Sequence, residues 1–196
     1  MLVGITQSIA ALAMIVAFYV VDVLLIHRYD PFRAHGSSRS WSWTVMALIA
    51  GLLVVVQPVL WPRLGIVAQA WWGLGLQVVG LLLMGGGLAV HWWARFHLQQ
   101  FYGERIELQP GQHLVESGPY AYVRHPIYTS FFMCITGLLL VNPSLPVLLV
   151  AVYFFVDFTR VARREELLLG KNLPEYDDYM ARTPRFLPKL NRFRRK

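Results

Sequence analysis

The chain has 196 residues, 56% of them hydrophobic and only 15% charged, with a formal net charge of +7. Mean hydropathy is +0.46. An ordinary soluble domain is less apolar, so the composition points to a polytopic membrane protein built as one compact unit, residues 1–196. A basic balance alone would suit a nucleic-acid binder, but its distribution along the chain argues against that partner. The single cysteine, Cys134, excludes an internal disulfide and suggests no cysteine-based zinc site.

Residues 5–26 are the first apolar run. At about 1.5 Å per residue they suffice to cross a core of roughly 30 Å. No Lys or Arg precedes Arg28, so the run lacks the basic start of a secretory signal and reads as a retained span. Its one charge, Asp22, lies near the inner end, within reach of the interface. Residues 27–40 are a polar loop with Arg28, Arg33 and Arg39. Residues 41–60 form a second span, with Trp41 and Trp43 at one end and Trp61 at the other, as an aromatic belt requires. Pro58 and Pro62 end it. Residues 71–93 are the third span. Its glycines, with Gly85 and Ala89 as a small-xxx-small pair, predict close helix packing. The run Gly85-Gly86-Gly87 follows no strand and is not a nucleotide loop.

Residues 94–124 are the one long polar insert, expected as a helical extension followed by a loop that turns at Pro110-Gly111. Gly118-Pro119 is a second turn signal. Pro126 suits the first turn of a helix, where its missing N–H costs nothing. Arg124 and His125 then sit just before a helix start, where free N–H groups and the dipole favour an anion. The apolar runs 128–141 and 145–158 would each be about 21 Å long as helices, short for a full span. Separated by Asn142-Pro143-Ser144, they predict a tight helical hairpin whose second arm continues through Arg160, Arg163, Arg164, Glu165 and Glu166 to Leu169.

The hairpin returns Glu165 and Glu166 to the interface where Pro126 begins its first arm. Adjacent acids on a helix point about 100° apart. One can meet a ligand while the other pairs with an arginine; a solvated helix face beside Arg163 and Arg164 is the plain alternative. With five crossings and the N-terminus outside, 17 of the chain's 18 Lys and Arg fall on the cytoplasmic side, and only Arg63 lies outside. The basic face then meets anionic lipid, with Arg192, Arg194, Arg195 and Lys196 as a tether, and nucleic acid is not needed. His91 and His97 do not share a helix face, and no metal is expected. No Gly-x-Ser-x-Gly motif suggests a covalent hydrolase. No strand–loop–helix pattern suggests a soluble-type cofactor fold.

Several stretches resemble the isoprenylcysteine carboxyl methyltransferase family. They are Gln112-His113-Leu114-Val115-Glu116-Ser117-Gly118-Pro119-Tyr120, Arg124-His125-Pro126-Ile127-Tyr128, Asn142-Pro143, Glu165-Glu166 and Pro174-Glu175-Tyr176. Phospholipid N-methyltransferases share its C-terminal half. The resemblance covers roughly residues 94–190, and the three spans of residues 1–93 share only the hydrophobic pattern. It implies an all-α polytopic membrane fold of about five transmembrane helices, with a cytoplasmic pocket for S-adenosylmethionine. Gln112, His113, Leu114, Val115 and Tyr120 would line that pocket, His125, Pro126 and Tyr128 would enclose it, and Glu165 would bind the donor's polar groups.

In the family an arginine one turn before that glutamate holds the acceptor carboxylate. Here Val161 stands four before Glu165, with Arg160 five before and Arg164 adjacent; the resemblance implies Arg160 for the role, with Arg124 and Glu166 completing the expected catalytic set. Ser130 stands where the family usually has glycine. The implied reaction is methyl transfer to a lipophilic acceptor drawn from the bilayer, first an isoprenylcysteine-like carboxylate. Alternatives are a phosphatidylethanolamine-type amine and, further off, a sterol-type reduction using NADPH. The glycines of the third span fit a dimer or packing within one chain equally well.

Overall fold

The computed structural model describes residues 2–29, 51–52, 54–61, 71–102 and 111–189. The expected loop arginines Arg33 and Arg39, residues 41–50, Arg63, the turn proline of 103–110 and the basic tether of 190–196 lie outside the described residues. Five helices carry the description: α1 Ile5–Tyr29, α2 Trp71–Leu98, α3 Pro126–Val141, α4 Leu145–Asn172 and α5 Tyr176–Arg182. Residues 51–52 and 54–60 are helical as well, the described end of the expected second span.

Stretches at Ile5–Leu25, Trp72–Leu98 and Leu145–Asn172 are long and apolar enough to cross a membrane, and Pro126–Val141 is a shorter apolar helix. Leu24, Leu82 and Leu149 are among many large apolar side chains left facing outward, a surface that lipid covers and water would not. The chain is an all-helical integral membrane protein, as its hydropathy predicts. Two boundaries run further than the apolar runs: α2 continues past residue 93 to Leu98 and α4 past 158 to Asn172. Both overhangs carry polar residues beyond the apolar layer and so build the site.

Packing of α2 on α3 is set by missing side chains. A Cβ on Gly80 would lie 2.6 Å from the Gly137 carbonyl oxygen, and one on Gly137 would lie 2.5 Å from that of Gly80. One on Gly87 would strike Cys134 Sγ. Gly80 and Gly87 are two turns apart and so share a face. The predicted close packing is present, but through these residues and not through Gly85: a Cβ there would meet no atom within 4 Å. Backbone approach of this kind replaces hydrophobic driving force between helices already in lipid.

At the far end of the hairpin, side-chain amides close the polar accounts of the turn. Gln7 Nε2 donates to the Val141 carbonyl at 2.9 Å, and Asn142 Nδ2 donates to Gln57 Oε1 at 2.8 Å. Gln77 accepts from the Leu2 N–H and donates to the Leu2 carbonyl, both at 2.8 Å. Buried backbone groups left unpaired in an apolar layer would each cost several kcal/mol.

These contacts predict opposite outcomes at two glycines. Gly80→Leu should lower stability by about 1–3 kcal/mol through overpacking. Gly85→Ala should be neutral or gain up to about 1 kcal/mol from helix propensity. Thermal unfolding in detergent checks both.

Candidate active site

Pro126 starts α3 with its ring at the first helical position, so the preceding His125 is not helical (φ −125°, ψ 65°). The amides of Arg124 and His125 are thereby free to donate outside the helix, to the carbonyls of Pro184 and Arg185 at 2.9 and 3.1 Å. Thr129 Oγ1 donates to the Phe186 carbonyl at 2.8 Å. Residues 183–186, just beyond α5, are thus strapped across the start of α3.

Glu166 is the hub beneath the strap, its side chain 7% exposed. Its Oε1 accepts from Arg124 Nε at 2.9 Å and Nη2 at 2.8 Å, and lies 3.1 Å from His125 Nε2. A carboxylate only accepts, so His125 Nε2 carries the hydrogen. Arg185 donates from Nη2 to Oε2 at 2.6 Å and from Nε to Oε1 at 2.9 Å. Arg124 Nη1 also donates to the carbonyls of Met180 and Thr183, at 2.9 and 2.6 Å. Hydrogen bonding to Glu166 raises the Arg185 guanidinium above its ordinary value, so the strap end stays cationic.

The neighbouring acid faces elsewhere. Glu165 Oε2 accepts from the Tyr128 hydroxyl at 3.1 Å and lies 3.6 Å from His125 Nδ1. Its side chain is 36% exposed, so unlike Glu166 it has accepting capacity left for a ligand. Tyr128 in turn stacks on Phe158, centroids 5.7 Å apart, and Phe158 stacks on Phe131 at 5.0 Å. These rings run from the polar face down into the apolar layer.

A cavity of about 610 Å³ is lined by residues of two stretches: His97 and Leu98 from the end of α2 with Gln99 and Phe101 just beyond it, and His113, Leu114, Val115, Glu116 and Ser117 from the loop. Its size suits a small-molecule site. His113 meets Phe101 edge-on at 4.7 Å. Gly118, at φ +59°, ends the loop strand of this wall and presses on the His97 ring, where a Cβ would collide; only glycine combines that dihedral with that approach. Its 3-10 turn, Gly118–Ala121, buries Tyr120, whose carbonyl accepts from the Tyr179 hydroxyl at 2.7 Å. Burial first, and the Glu165 charge second, hold the Tyr120 phenol well above its ordinary value. Tyr120 therefore stays a donor and lies within electrostatic reach of Glu165.

Of the residues singled out in the sequence, His113, Leu114 and Val115 line the cavity, and Tyr120 sits in the turn that bounds it. His125, Tyr128, Glu165, Glu166 and Arg124 form one bonded cluster, and Pro126 starts its helix. Gln112 is half-buried just ahead of the lining residues. Arg160 is exposed on α4, off the buried face that carries Phe158, Ala162 and Glu166. Arg124 and Glu166, read from sequence as catalytic, are spent on each other and on the strap. Arg185 was not singled out: it lies 19 residues from Glu166 in a tail with no periodicity to flag it. Asp157 lies inside an apolar run, and among the described residues its buried Oδ2 has no hydrogen-bond partner.

The class that this architecture defines is a helical membrane protein with a bonded polar cluster at one end of its bundle. Residues 78–170 match the isoprenylcysteine carboxyl methyltransferase (ICMT) family model. Nickel-cobalt-cadmium resistance protein NccN of Alcaligenes xylosoxydans xylosoxydans is 33% identical over 64% of this chain and 56% of its own length. Protein-S-isoprenylcysteine O-methyltransferase of Mus musculus is 31% identical over 77% of this chain and 53% of its own. The chain thus spans about half the length of these relatives. A solved eukaryotic intramembrane Ras methyltransferase, ICMT, shares the fold with a TM-score of 0.71 at 21% identity, over 94% of this chain and 67% of that one.

Removing one partner of a buried ion pair costs about 3–5 kcal/mol. Arg124→Ala should therefore cost stability in that range, near its lower end, while Arg160→Ala at an exposed position should stay within about 0.5 kcal/mol. The difference in thermal midpoint between the two variants measures this.

Proposed function

We propose that the protein transfers a methyl group from S-adenosylmethionine to a lipophilic acceptor at the membrane interface, with a carboxylate of isoprenylcysteine type as the preferred acceptor. The observation that carries this reading is the Glu165–Tyr128 pair, whose partly exposed carboxylate lies within electrostatic reach of Tyr120, in the turn that follows the loop wall of the cavity. The residues fit the donor. The cavity is of nucleoside size, its walls mix ring and aliphatic side chains with Gln99, Glu116 and Ser117, and Glu165, within electrostatic reach of Tyr120, has spare accepting capacity suited to ribose hydroxyls or an amino group. When bound, the donor would supply a methyl group on a sulfonium, already activated for displacement.

The chain's own part is then to position and to exclude water. Gln112, His113, Leu114, Val115 and Tyr120 would line the donor, His125, Pro126 and Tyr128 would close over it, and Glu165 would hold its polar groups. Arg124 and Glu166 serve as frame. Glu166, committed to two arginines, makes a poor base, which favours an acceptor that arrives ionised over an amine that must lose a proton. An ionised carboxylate needs an arginine to place it, not a base, and exposed Arg160 remains the candidate for that contact. The aromatic ladder below Tyr128 suits an apolar tail entering from the bilayer. The charge split places the N-terminus outside and the site on the cytoplasmic side, against anionic lipid. Residues 1–196 act as one unit, the first 93 supplying spans and the rest the site.

Calorimetric titration of the detergent-purified protein with S-adenosylhomocysteine tests the reading. One saturable site per chain is expected. Glu165→Ala should weaken it at least about tenfold, the loss of a charge-assisted hydrogen bond. Absence of binding to the unmodified protein would sink the proposal and send the search to nicotinamide cofactors.

A further inference from the structure

Arg185 stands outside every motif, yet it holds the hub of the site. Glu166 Oε1 is shared by Arg124, His125 and Arg185, but among the described residues Oε2 takes its hydrogen bonds from Arg185 alone, at 2.6 and 3.1 Å. The strap itself is docked by backbone groups: the carbonyls of Pro184, Arg185 and Phe186 accept from the start of α3. Truncating the Arg185 side chain therefore leaves the strap attached and empties one side of a buried carboxylate.

The consequence travels through bonded contacts. A buried carboxylate oxygen without a donor turns toward the nearest ones, here those of Arg124 and His125. The His125 ring, fixed through Nε2 to Glu166, presents Nδ1 to Glu165 Oε2 at 3.6 Å, and the same oxygen accepts from Tyr128. Rotation at Glu166 thus displaces the pair that the methyltransferase reading assigns to the donor.

We propose that Arg185 is a positioning residue for methyl transfer, saturating Glu166 so that His125 and the Glu165–Tyr128 pair are held in register. The inference rests on the methyltransferase reading above. It also gives the strap a role: chain beyond α5 completes the site from outside the hairpin. Because the Arg185 side chain is 32% exposed while Glu166 is 7% exposed, a small free guanidinium can reach the vacancy that truncation leaves.

The test uses the full chain in lipid nanodiscs, with S-adenosylmethionine and N-acetyl-S-farnesylcysteine as probes. Arg185→Ala should lose about ten- to a hundredfold in kcat, the effect of sub-ångström misplacement, with acceptor KM and S-adenosylhomocysteine affinity changed far less. Millimolar guanidinium should restore much of that rate while leaving the unmodified protein unaffected. Arg185→Lys, which keeps the charge but not the two-pronged fork, should fall between; it decides the matter if Arg185→Ala fails to fold. A normal kcat in either folded variant overturns the inference alone, as does loss of rate with no guanidinium rescue and a matching loss of thermal stability. An unmodified protein that neither binds S-adenosylhomocysteine nor transfers methyl groups overturns the underlying reading, and the inference with it.

Discussion

A carboxylate withdrawn from water must be met by donors on every side, because its uncompensated burial costs more than any local packing returns. Glu166 imposes that condition on this chain. Its helix, α4, carries it past the apolar layer, and its partners come from two other places: Arg124 and His125 before α3, and Arg185 beyond α5. Three segments separated by up to 61 positions are therefore obliged to converge at one point. Backbone hydrogen bonds and the packing of Phe186 on Phe132 join the strap to the start of α3; the buried charge ties the end of α4 to both.

The convergence works only if α2 and α3 first come close enough for the loop between them to fold back. Gly80 and Gly137 place backbone against backbone, and Gly87 admits Cys134. The same register sets His97, at the end of α2, against Gly118, so the loop wall of the cavity meets the helix wall. A packing decision in the middle of the apolar layer is in this way transmitted to the polar end, through rigid helices and four glycines where a methyl group has no room.

The two adjacent acids show how one helix turns neighbouring carboxylates into two different environments. Glu166 lies on the buried face with Phe158 and Ala162, and is saturated. Glu165, about 100° around the helix, is half-exposed and bonded to one tyrosine hydroxyl. The chain is similar both to the metal-resistance protein NccN and to protein-S-isoprenylcysteine O-methyltransferases, relatives with quite different names. Fold alone does not choose among them; the side chains left open at Glu165, Tyr128 and the cavity do.

Hydropathy and punctuation alone determined the described apolar helices, but not α5, which lies in a polar tail that no apolar run marks. Uninterrupted apolar runs have no other way to satisfy their backbone in lipid, Pro126 marks a helix start by its fixed φ, and Asn142-Pro143-Ser144 ends one and begins the next. The order of Arg124, His125, Tyr128, Glu165 and Glu166 around that hairpin was equally legible, since the hairpin returns both ends to one interface. Tertiary structure alone decided three things. It chose Gly80 and Gly87 over Gly85 for the contact, because helix rotation is set by the partner and not by composition. It spent Arg124 and Glu166 on each other, because pairing depends on distance and not on residue type. And it brought Arg185 to the site, because a contact made across 19 residues of irregular chain has no period by which a sequence could announce it.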